Sequence, residues 1–100
     1  MSDLERPLFN QVVVLTGGAG GIGTATAKAL AAAGAKVAIG DLDGDAAAAL
    51  ADSLGEGHYG AELDVTDYAG FEKFVDEAEA ELGPLYAIVN NAGLMLLNAF

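Results

Sequence analysis

The chain has 100 residues, 53% of them hydrophobic, which is enough for one domain, residues 1–100, with a buried core. Its formal net charge of −11 argues against nucleic acids and anionic membranes as partners, and the lack of cysteine excludes disulfides and thiolate metal sites. Because the sequence shows neither a signal-peptide pattern nor an apolar run long enough to span a bilayer, we expect a cytoplasmic protein.

Strand and helix signals alternate along the chain, which is typical of an α/β fold. Strands are predicted over residues 12–15, 36–40, 59–63 and 86–90. The first helix is predicted over residues 24–33 and ends at Gly34. Three of its residues share one side, where their small size would let the helix lie close to the sheet: Ala25, Ala29 and Ala32.

Two further helices follow the second and third strands. One is predicted to begin at a cap, Asp43 or Asp45, and to run to about Leu54. The other begins at Thr66 or Asp67 and runs to Leu82, where Gly83-Pro84 ends it. It carries an amphipathic stripe of apolar residues at helical spacing: Phe71, Phe74, Val75, Ala78 and Leu82.

This order of elements restricts the topology, because crossovers between parallel strands are right-handed. Two helices would cover one face of strands 3-2-1, and the third would cover the other face and bring strand 4 beside strand 1. The predicted fold is therefore a doubly wound parallel sheet of the Rossmann type, with strand order 3-2-1-4 and without the second half of that fold. Ligands bind such sheets at the carboxyl ends of the strands, between strands 1 and 4.

A glycine run lies at that position, directly after the first strand. Three spacings fit it: Gly18-x-Gly20-x-x-Gly23, Thr16-Gly17-x-x-Gly20-x-x-Gly23, and Thr16-Gly17-x-x-x-Gly21-x-Gly23. A strand that turns on glycines into a helix collects backbone N–H groups and the positive end of the helix dipole, which suits a pyrophosphate. Eighteen residues after Gly23, Asp41 ends the second strand and can accept hydrogen bonds from a ribose. The sequence thus predicts a dinucleotide site.

Three segments together resemble the short-chain dehydrogenase/reductase family in its ordinary, non-extended form. They are Thr16-Gly-x-x-x-Gly21-Ile22-Gly23, Asp64-Val65 and Asn90-Asn91-Ala92-Gly93, in family order and spacing. The resemblance implies an oxidoreductase that interconverts an alcohol and a carbonyl by hydride transfer with a nicotinamide cofactor. Together with Asp41 and Leu42 at the end of the second strand, the residues it implies make up the predicted cofactor-binding set: Gly17, Gly18, Ala19, Gly20, Gly21, Ile22, Gly23, Asp41, Leu42, Asp64, Val65, Asn91, Ala92 and Gly93.

Within that set the resemblance implies different contacts. Residues 17–20 would wrap the adenosine ribose and the pyrophosphate, and the Ile22 amide would face the phosphates or the nicotinamide side. Asp64 and the Val65 backbone would contact the adenine ring. Residues 91–93 would form the wall beside the cofactor ribose and also brace the sheet.

The cofactor preference follows from charge at Asp41. A carboxylate accepts hydrogen bonds from a 2′-hydroxyl and repels the 2′-phosphate of NADP. No Arg or Lys occupies the glycine run or follows Asp41, where Leu42 stands. NAD is therefore the predicted cofactor.

Several of these residues have plainer interpretations. Asp41 could initiate a loop and cap the next helix, Asp64 could be a turn acid, and Asn90 is better explained as a residue that satisfies buried backbone groups. His58 has no partner at metal spacing and is predicted to lie in a surface loop. Three tyrosines are predicted to be packing residues: Tyr59, Tyr68 and Tyr86. Four acids are predicted to form a solvated helix face, and no metal site is predicted: Asp76, Glu77, Glu79 and Glu81.

The family's catalytic groups are a tyrosine that transfers the proton, a lysine four residues later, and a serine that polarises the substrate oxygen. These 100 residues contain no Tyr-x-x-x-Lys pair, and their serines, Ser2 and Ser53, lie in the N-terminal segment and late in the second helix. We therefore predict no catalytic residue and no turnover for this chain. It resembles the cofactor-binding half of such an enzyme, and we expect the rest of the protein to follow Phe100.

Three functions are compatible with these features. The first is the NAD-binding portion of a short-chain oxidoreductase, which would act on a small alcohol or carbonyl compound and form a homo-oligomer when complete. The second is a non-catalytic NAD-binding module. The third is an epimerase-like or dehydratase-like relative that recycles a bound NAD.

Overall fold

A computed structural model of the chain describes residues 6–91. Strands and helices alternate through this part of the chain. The strands are β1 (Val12–Thr16), β2 (Lys36–Asp41), β3 (Tyr59–Glu62) and β4 (Leu85–Asn90), and the helices are α1 (Gly21–Ala32), α2 (Gly44–Ser53) and α3 (Tyr68–Leu82). Every predicted strand is confirmed, with its ends within one residue of the prediction.

The four strands form one parallel sheet in the order β3-β2-β1-β4. β1 lies in the centre, where it pairs with β2 from Val12 to Thr16 and with β4 over the same residues. The predicted strand order is confirmed, and the sheet with its helices is a partial Rossmann fold. The carboxyl ends of β1, β2 and β4 therefore meet at one edge of the sheet.

The two faces of the sheet are covered as predicted, by α1 and α2 on one side and α3 on the other. Alternate residues of β1 and β2 pack against alanines of α1 and α2, and these include Val13, Leu15, Val37 and Ile39. The intervening residues pack with the α3 stripe, and these include Val14, Ala38, Phe74 and Ala78. β1 is buried along its whole length, which explains why its sequence is a continuous apolar run rather than an alternating one.

The prediction of which side of α1 faces the sheet is wrong. Gly23 and Ala27 are its buried residues, whereas Ala25, Ala29 and Ala32 are exposed. Alanines occur all around this helix, so small size did not identify the buried side. The helix also begins three residues earlier than predicted, at Gly21, because the first N–H groups of a helix need no intrahelical partner and glycine is tolerated there.

The predicted packing role is correct for one tyrosine and wrong for two. Tyr59 lies against Phe74, with ring centroids 5.8 Å apart, and its hydroxyl donates to Glu77 Oε2 at 2.8 Å. Burial, this hydrogen bond and the charges of Glu77 and Glu81 raise the pKa of Tyr59 to about 12. Tyr68 and Tyr86 are 79% and 60% exposed. The first stands in the outer first turn of α3, and the second at the register shift of β4 beside β1.

None of the helices within residues 6–91 is long and apolar enough to cross a membrane. The same residues contain no group of His, Asp and Glu side chains that could hold a metal ion.

Candidate functional site

The candidate site lies at the carboxyl ends of β1, β2 and β4. There the chain leaves β1 through the glycine turn, which we define as residues 17–20, and enters α1. The turn starts in the left-handed backbone region, with φ of 68° at Gly17, which glycine adopts without strain. The Gly17 N–H donates to the Gly40 carbonyl at 2.7 Å, so the turn continues the hydrogen bonding between β1 and β2 beyond the strand.

The N-terminus of α1 differs from those of α2 and α3. Asp43 caps α2 by accepting from the Ala46 N–H at 3.0 Å, and Asp67 caps α3 by accepting from the Gly70 N–H at 3.2 Å. The N-cap of α1 is Gly20, which makes no side-chain cap, and the first turn carries no acidic residue. The first amides of α1 and the positive end of its dipole are therefore open to an anion.

The glycines of this region fall into two groups when a Cβ atom is placed on each. At Gly23 the added atom would lie 2.5 Å from the Gly17 oxygen and 2.6 Å from Gly18 Cα. At Gly20 and Gly21 it would meet no protein atom within 4 Å. Packing within the protein thus explains Gly23 but not Gly20 or Gly21, where a side chain would instead occupy open space beside the uncapped amides.

Asp41 stands at the end of β2, and its carboxylate faces the glycine turn. Its Oδ2 accepts from the Ala19 N–H at 3.2 Å, and its Oδ1 accepts from the Asp43 N–H at 2.9 Å. The bond from the Asp43 N–H makes Asp41 the initiating residue of the loop, as its plainer interpretation predicted, but its predicted role as the cap of the next helix is wrong, because Asp43 caps α2. The carboxylate is half-buried and lies between the turn and the start of α2.

Two pockets at the carboxyl ends of the strands share Gly17, and we refer to them together as the cleft and to each pocket as one of its halves. One half, of about 310 Å³, is lined by Gly17, Asp41, Leu42, Leu63, Asp64, Val65 and Thr66. The other half, of about 560 Å³, is lined by Gly17, Gly20, Gly21, Ile22, Gly23, Asn90 and Asn91. Of the predicted site residues that the structure describes, all but Gly18 and Ala19 line this cleft. Gly18 is buried against Ile39 and Leu15, and Ala19 is bonded to Asp41 beside the cleft. Ala92 and Gly93 lie outside the described residues.

Asp64 lines the first half of the cleft and also forms a local turn. Its Oδ1 accepts from the Thr66 hydroxyl at 2.6 Å and from the Thr66 N–H at 2.9 Å. These two bonds, the hydroxyl first, lower the pKa of the exposed Asp64 carboxyl below its usual value. The turn-acid interpretation of Asp64 is confirmed, and its place in the cleft lining is compatible with the adenine contact predicted for it.

Beside the second half of the cleft, a network of hydrogen bonds connects the end of β4 to β1 and α1. The fully buried Thr16 hydroxyl donates to Asn90 Oδ1 at 2.6 Å, and the Asn91 N–H donates to the Thr16 carbonyl at 2.9 Å. The Asn91 side-chain amide reaches Thr26 Oγ1 on α1 at 3.4 Å. Asn90 therefore binds a side chain rather than only backbone groups. The role of Thr16 was missed, although a threonine that ends a wholly apolar strand is a signal for a buried hydroxyl with a partner.

His58 is not simply a surface residue, as had been predicted. It precedes β3 in the loop after α2, but it is half-buried, and its Nδ1 accepts from the Val37 N–H of β2 at 3.0 Å. Burial lowers the pKa of His58 below its usual value of 6.5. It lines neither half of the cleft.

Comparison with known proteins agrees with this geometry. The family model for short chain dehydrogenases matches residues 11–100, nearly the whole chain. The chain belongs to the short-chain dehydrogenase family. The prediction of that family from the glycine run, Asp64-Val65 and Asn90-Asn91-Ala92-Gly93 is confirmed.

Three relatives illustrate the similarity. The chain is 40% identical over 98 residues to D-threitol dehydrogenase of Mycolicibacterium smegmatis, covering 95% of this chain and 38% of that protein. It is 41% identical to galactitol 2-dehydrogenase of Agrobacterium fabrum, covering 87% of this chain and 34% of that protein. It is also 41% identical to 3beta-hydroxysteroid dehydrogenase 2 of Eggerthella lenta, covering 88% and 35%. The chain spans roughly a third of the length of these curated relatives.

Proposed function

We propose that this chain binds NAD(H) in the cleft at the carboxyl ends of β1, β2 and β4, as the cofactor-binding portion of an oxidoreductase acting on an alcohol or carbonyl compound. The observation that carries the proposal is the open space at Gly20 and Gly21 beside the uncapped N-terminus of α1. Glycine loses more conformational freedom on folding than any other residue, and no neighbouring part of the protein requires its small size at Gly20 or Gly21, so packing does not explain these two glycines. A diphosphate that approaches the backbone closely does explain them.

The residues around the cleft fit the rest of a dinucleotide. Gly20, Gly21 and the first amides of α1 would hold the diphosphate, and Asp41 would accept from the ribose hydroxyls of adenosine. Val65, with the turn formed by Asp64, would contact the adenine ring. Asn91 would lie beside the nicotinamide ribose. The nicotinamide supplies the hydride chemistry when the cofactor is bound, and the chain's own residues bind and orient it.

Charge supports NAD rather than NADP. The Asp41 carboxylate would lie next to the 2′-position of the adenosine ribose, where a phosphate would be repelled. The linings of the two halves of the cleft contain no Lys or Arg. Three of the four cations make contacts elsewhere: Arg6 with the Phe9 ring, Lys36 with the Leu82 carbonyl, and Lys73 with Glu77.

The relatives support an alcohol or carbonyl as substrate of the whole enzyme, since those named above are dehydrogenases of polyols and of a steroid. For these 100 residues we propose cofactor binding without turnover, because the sequence contains no Tyr-x-x-x-Lys pair to transfer the proton. The non-catalytic module and the epimerase-like relative stay as alternative predictions.

A calorimetric titration of the 100-residue chain with NAD and with NADP tests the proposal. We expect NAD to bind at least about tenfold more tightly than NADP, which corresponds to about 1.4 kcal/mol. Asp41→Ala removes both the acceptor for the ribose hydroxyls and the charge that repels the 2′-phosphate of NADP. NAD binding should therefore weaken, and the difference between the NAD and NADP affinities should become smaller.

Asp52→Ala is the matched control, because it removes the same charge from an exposed position of α2 that lines neither half of the cleft. It should leave both affinities unchanged. Equal binding of NAD and NADP by the unmodified chain, or unchanged affinities in Asp41→Ala, would refute the role of Asp41. No binding of either nucleotide would refute the proposed function itself.

A further inference from the structure

We propose that the Asp41 carboxylate has a second role, as a latch that holds the glycine turn in its binding shape before any nucleotide arrives. The latch is the hydrogen bond from the Ala19 N–H to Asp41 Oδ2, 3.2 Å long. The inference rests on the proposed nucleotide function for its ligand, but the latch itself exists in the nucleotide-free chain. Asp41 is therefore a positioning residue for the turn as well as an acceptor for the ribose.

The latch acts on the part of the turn that packing leaves unsupported. Gly17 is tied to Gly40 by a backbone bond of 2.7 Å, and Gly18 is buried against the side chains of Ile39 and Leu15. After Gly18 the chain moves outward: Ala19 is half-buried and Gly20 is exposed. At this point the Asp41 carboxylate holds the backbone, in a bond strengthened by its negative charge.

The same carboxylate has room for both roles. A carboxylate offers about four lone-pair positions on its two oxygens. The Asp43 N–H uses one on Oδ1 at 2.9 Å, and the Ala19 N–H uses one on Oδ2. The remaining positions can accept from the ribose hydroxyls, so ribose binding does not require the latch to open.

The two roles predict opposite effects on a ligand that has a diphosphate but no ribose hydroxyls. If Asp41 contacts only the ribose, its removal should leave such an anion unaffected or bind it more tightly, because a negative charge has been removed nearby. If Asp41 also holds the turn, its removal disorders the amides that receive the diphosphate, and the ligand should bind more weakly. The sign of the change distinguishes the two.

The probes are ADP and 2′,3′-dideoxy-ADP, titrated by calorimetry into the unmodified 100-residue chain, Asp41→Ala and the charge control Asp52→Ala. We expect Asp41→Ala to weaken the binding of dideoxy-ADP by about fivefold or more, and to weaken ADP further, while Asp52→Ala changes neither. Unchanged or tighter binding of dideoxy-ADP by Asp41→Ala would overturn the latch and leave the ribose role intact. If the unmodified chain bound no ADP, the proposed function would fail instead.

Amide hydrogen exchange measures the latch without any nucleotide. The Ala19 amide of the unmodified chain should exchange about tenfold more slowly than the amide of Ile22, which lies in the first turn of α1 and has no intrahelical partner. This protection should be lost in Asp41→Ala, or in Asp41→Val, which also lacks an acceptor oxygen, if the alanine variant does not fold. An Ala19 amide that exchanges as fast as that of Ile22 in the unmodified chain would overturn the latch, whatever the variants do.

Discussion

Two glycine-to-alanine substitutions, only two positions apart in α1, should have different effects: one should lower the stability of the fold, and the other should weaken cofactor binding. Gly23→Ala places a methyl group 2.5 Å from the Gly17 oxygen, 2.6 Å from Gly18 Cα and 2.7 Å from the Gly18 carbonyl carbon. All three are backbone atoms, so no side chain can rotate away to make room. Gly21→Ala places the same group where no protein atom lies within 4 Å. The two variants therefore have the same composition and different surroundings.

The expected magnitudes follow from packing and helix propensity. Overpacking of a tight site costs about 1–3 kcal/mol, and contact with three backbone atoms places Gly23→Ala at the upper end. Alanine in a helix interior regains about 1 kcal/mol relative to glycine, which leaves a net loss of about 2 kcal/mol. For a chain of this size that lowers Tm by roughly 10 °C. Gly21→Ala should be neutral or slightly stabilising, yet weaken NAD binding by about tenfold or more.

Thermal unfolding followed by circular dichroism measures the first effect, and calorimetric titration with NAD measures the second. If Gly23→Ala melted at the temperature of the unmodified chain, the close approach of α1 to the glycine turn would be wrong. If Gly21→Ala bound NAD with unchanged affinity, the open space at that glycine would not be where the cofactor lies.

Two further predictions concern the fold around the site. Thr16→Val keeps the shape of a fully buried side chain but removes the 2.6 Å bond to Asn90, and should cost about 1–2 kcal/mol in urea denaturation; an unchanged midpoint would contradict the bond. His58 has a pKa lowered by burial and accepts from the Val37 N–H as a neutral ring, so the folded chain binds fewer protons than the unfolded chain near the usual pKa of 6.5. Stability from His58 should therefore be complete above about pH 7.5 and fall as the pH drops through 6.5 towards the folded pKa. Because this is the chain's one histidine, His58→Gln, whose amide oxygen can accept in its place, should flatten that part of the profile, and an unchanged slope would contradict the assignment.

The sheet and the buried face of α3 could be predicted because their residues differ strongly in size and polarity. The β1 run has four consecutive apolar residues, and the α3 stripe repeats Phe74 and Ala78 at helical spacing, so burial follows directly from the pattern. α1 had no such contrast, since alanines lie on all of its sides, and its buried face was predicted wrongly. The buried face of α1 is determined by its contacts with distant parts of the chain. These contacts cannot be inferred from the spacing of residues within α1.

The site was predictable to a similar degree, and for a similar reason. Strand order and motif position together placed Gly17, Asp41 and Asn91 at one edge of the sheet, and this prediction is confirmed. The bonds between these residues were not predictable. The Ala19 N–H points at Asp41, and the His58 ring at Val37, because of backbone directions that a residue pattern does not specify.

The glycine run shows how the two kinds of information combine. Three glycine spacings fit the sequence equally, because each treats all glycines as equivalent. The structure divides them: Gly17 needs a left-handed backbone, Gly18 and Gly23 are in close contact with other parts of the protein, and Gly20 and Gly21 have neither requirement. A motif match therefore mixes residues that make the turn with residues that leave it open. Only the second group is evidence for a ligand, since a turn built for steric reasons alone would need Gly17, Gly18 and Gly23 but would accept a methyl group at Gly20 and Gly21.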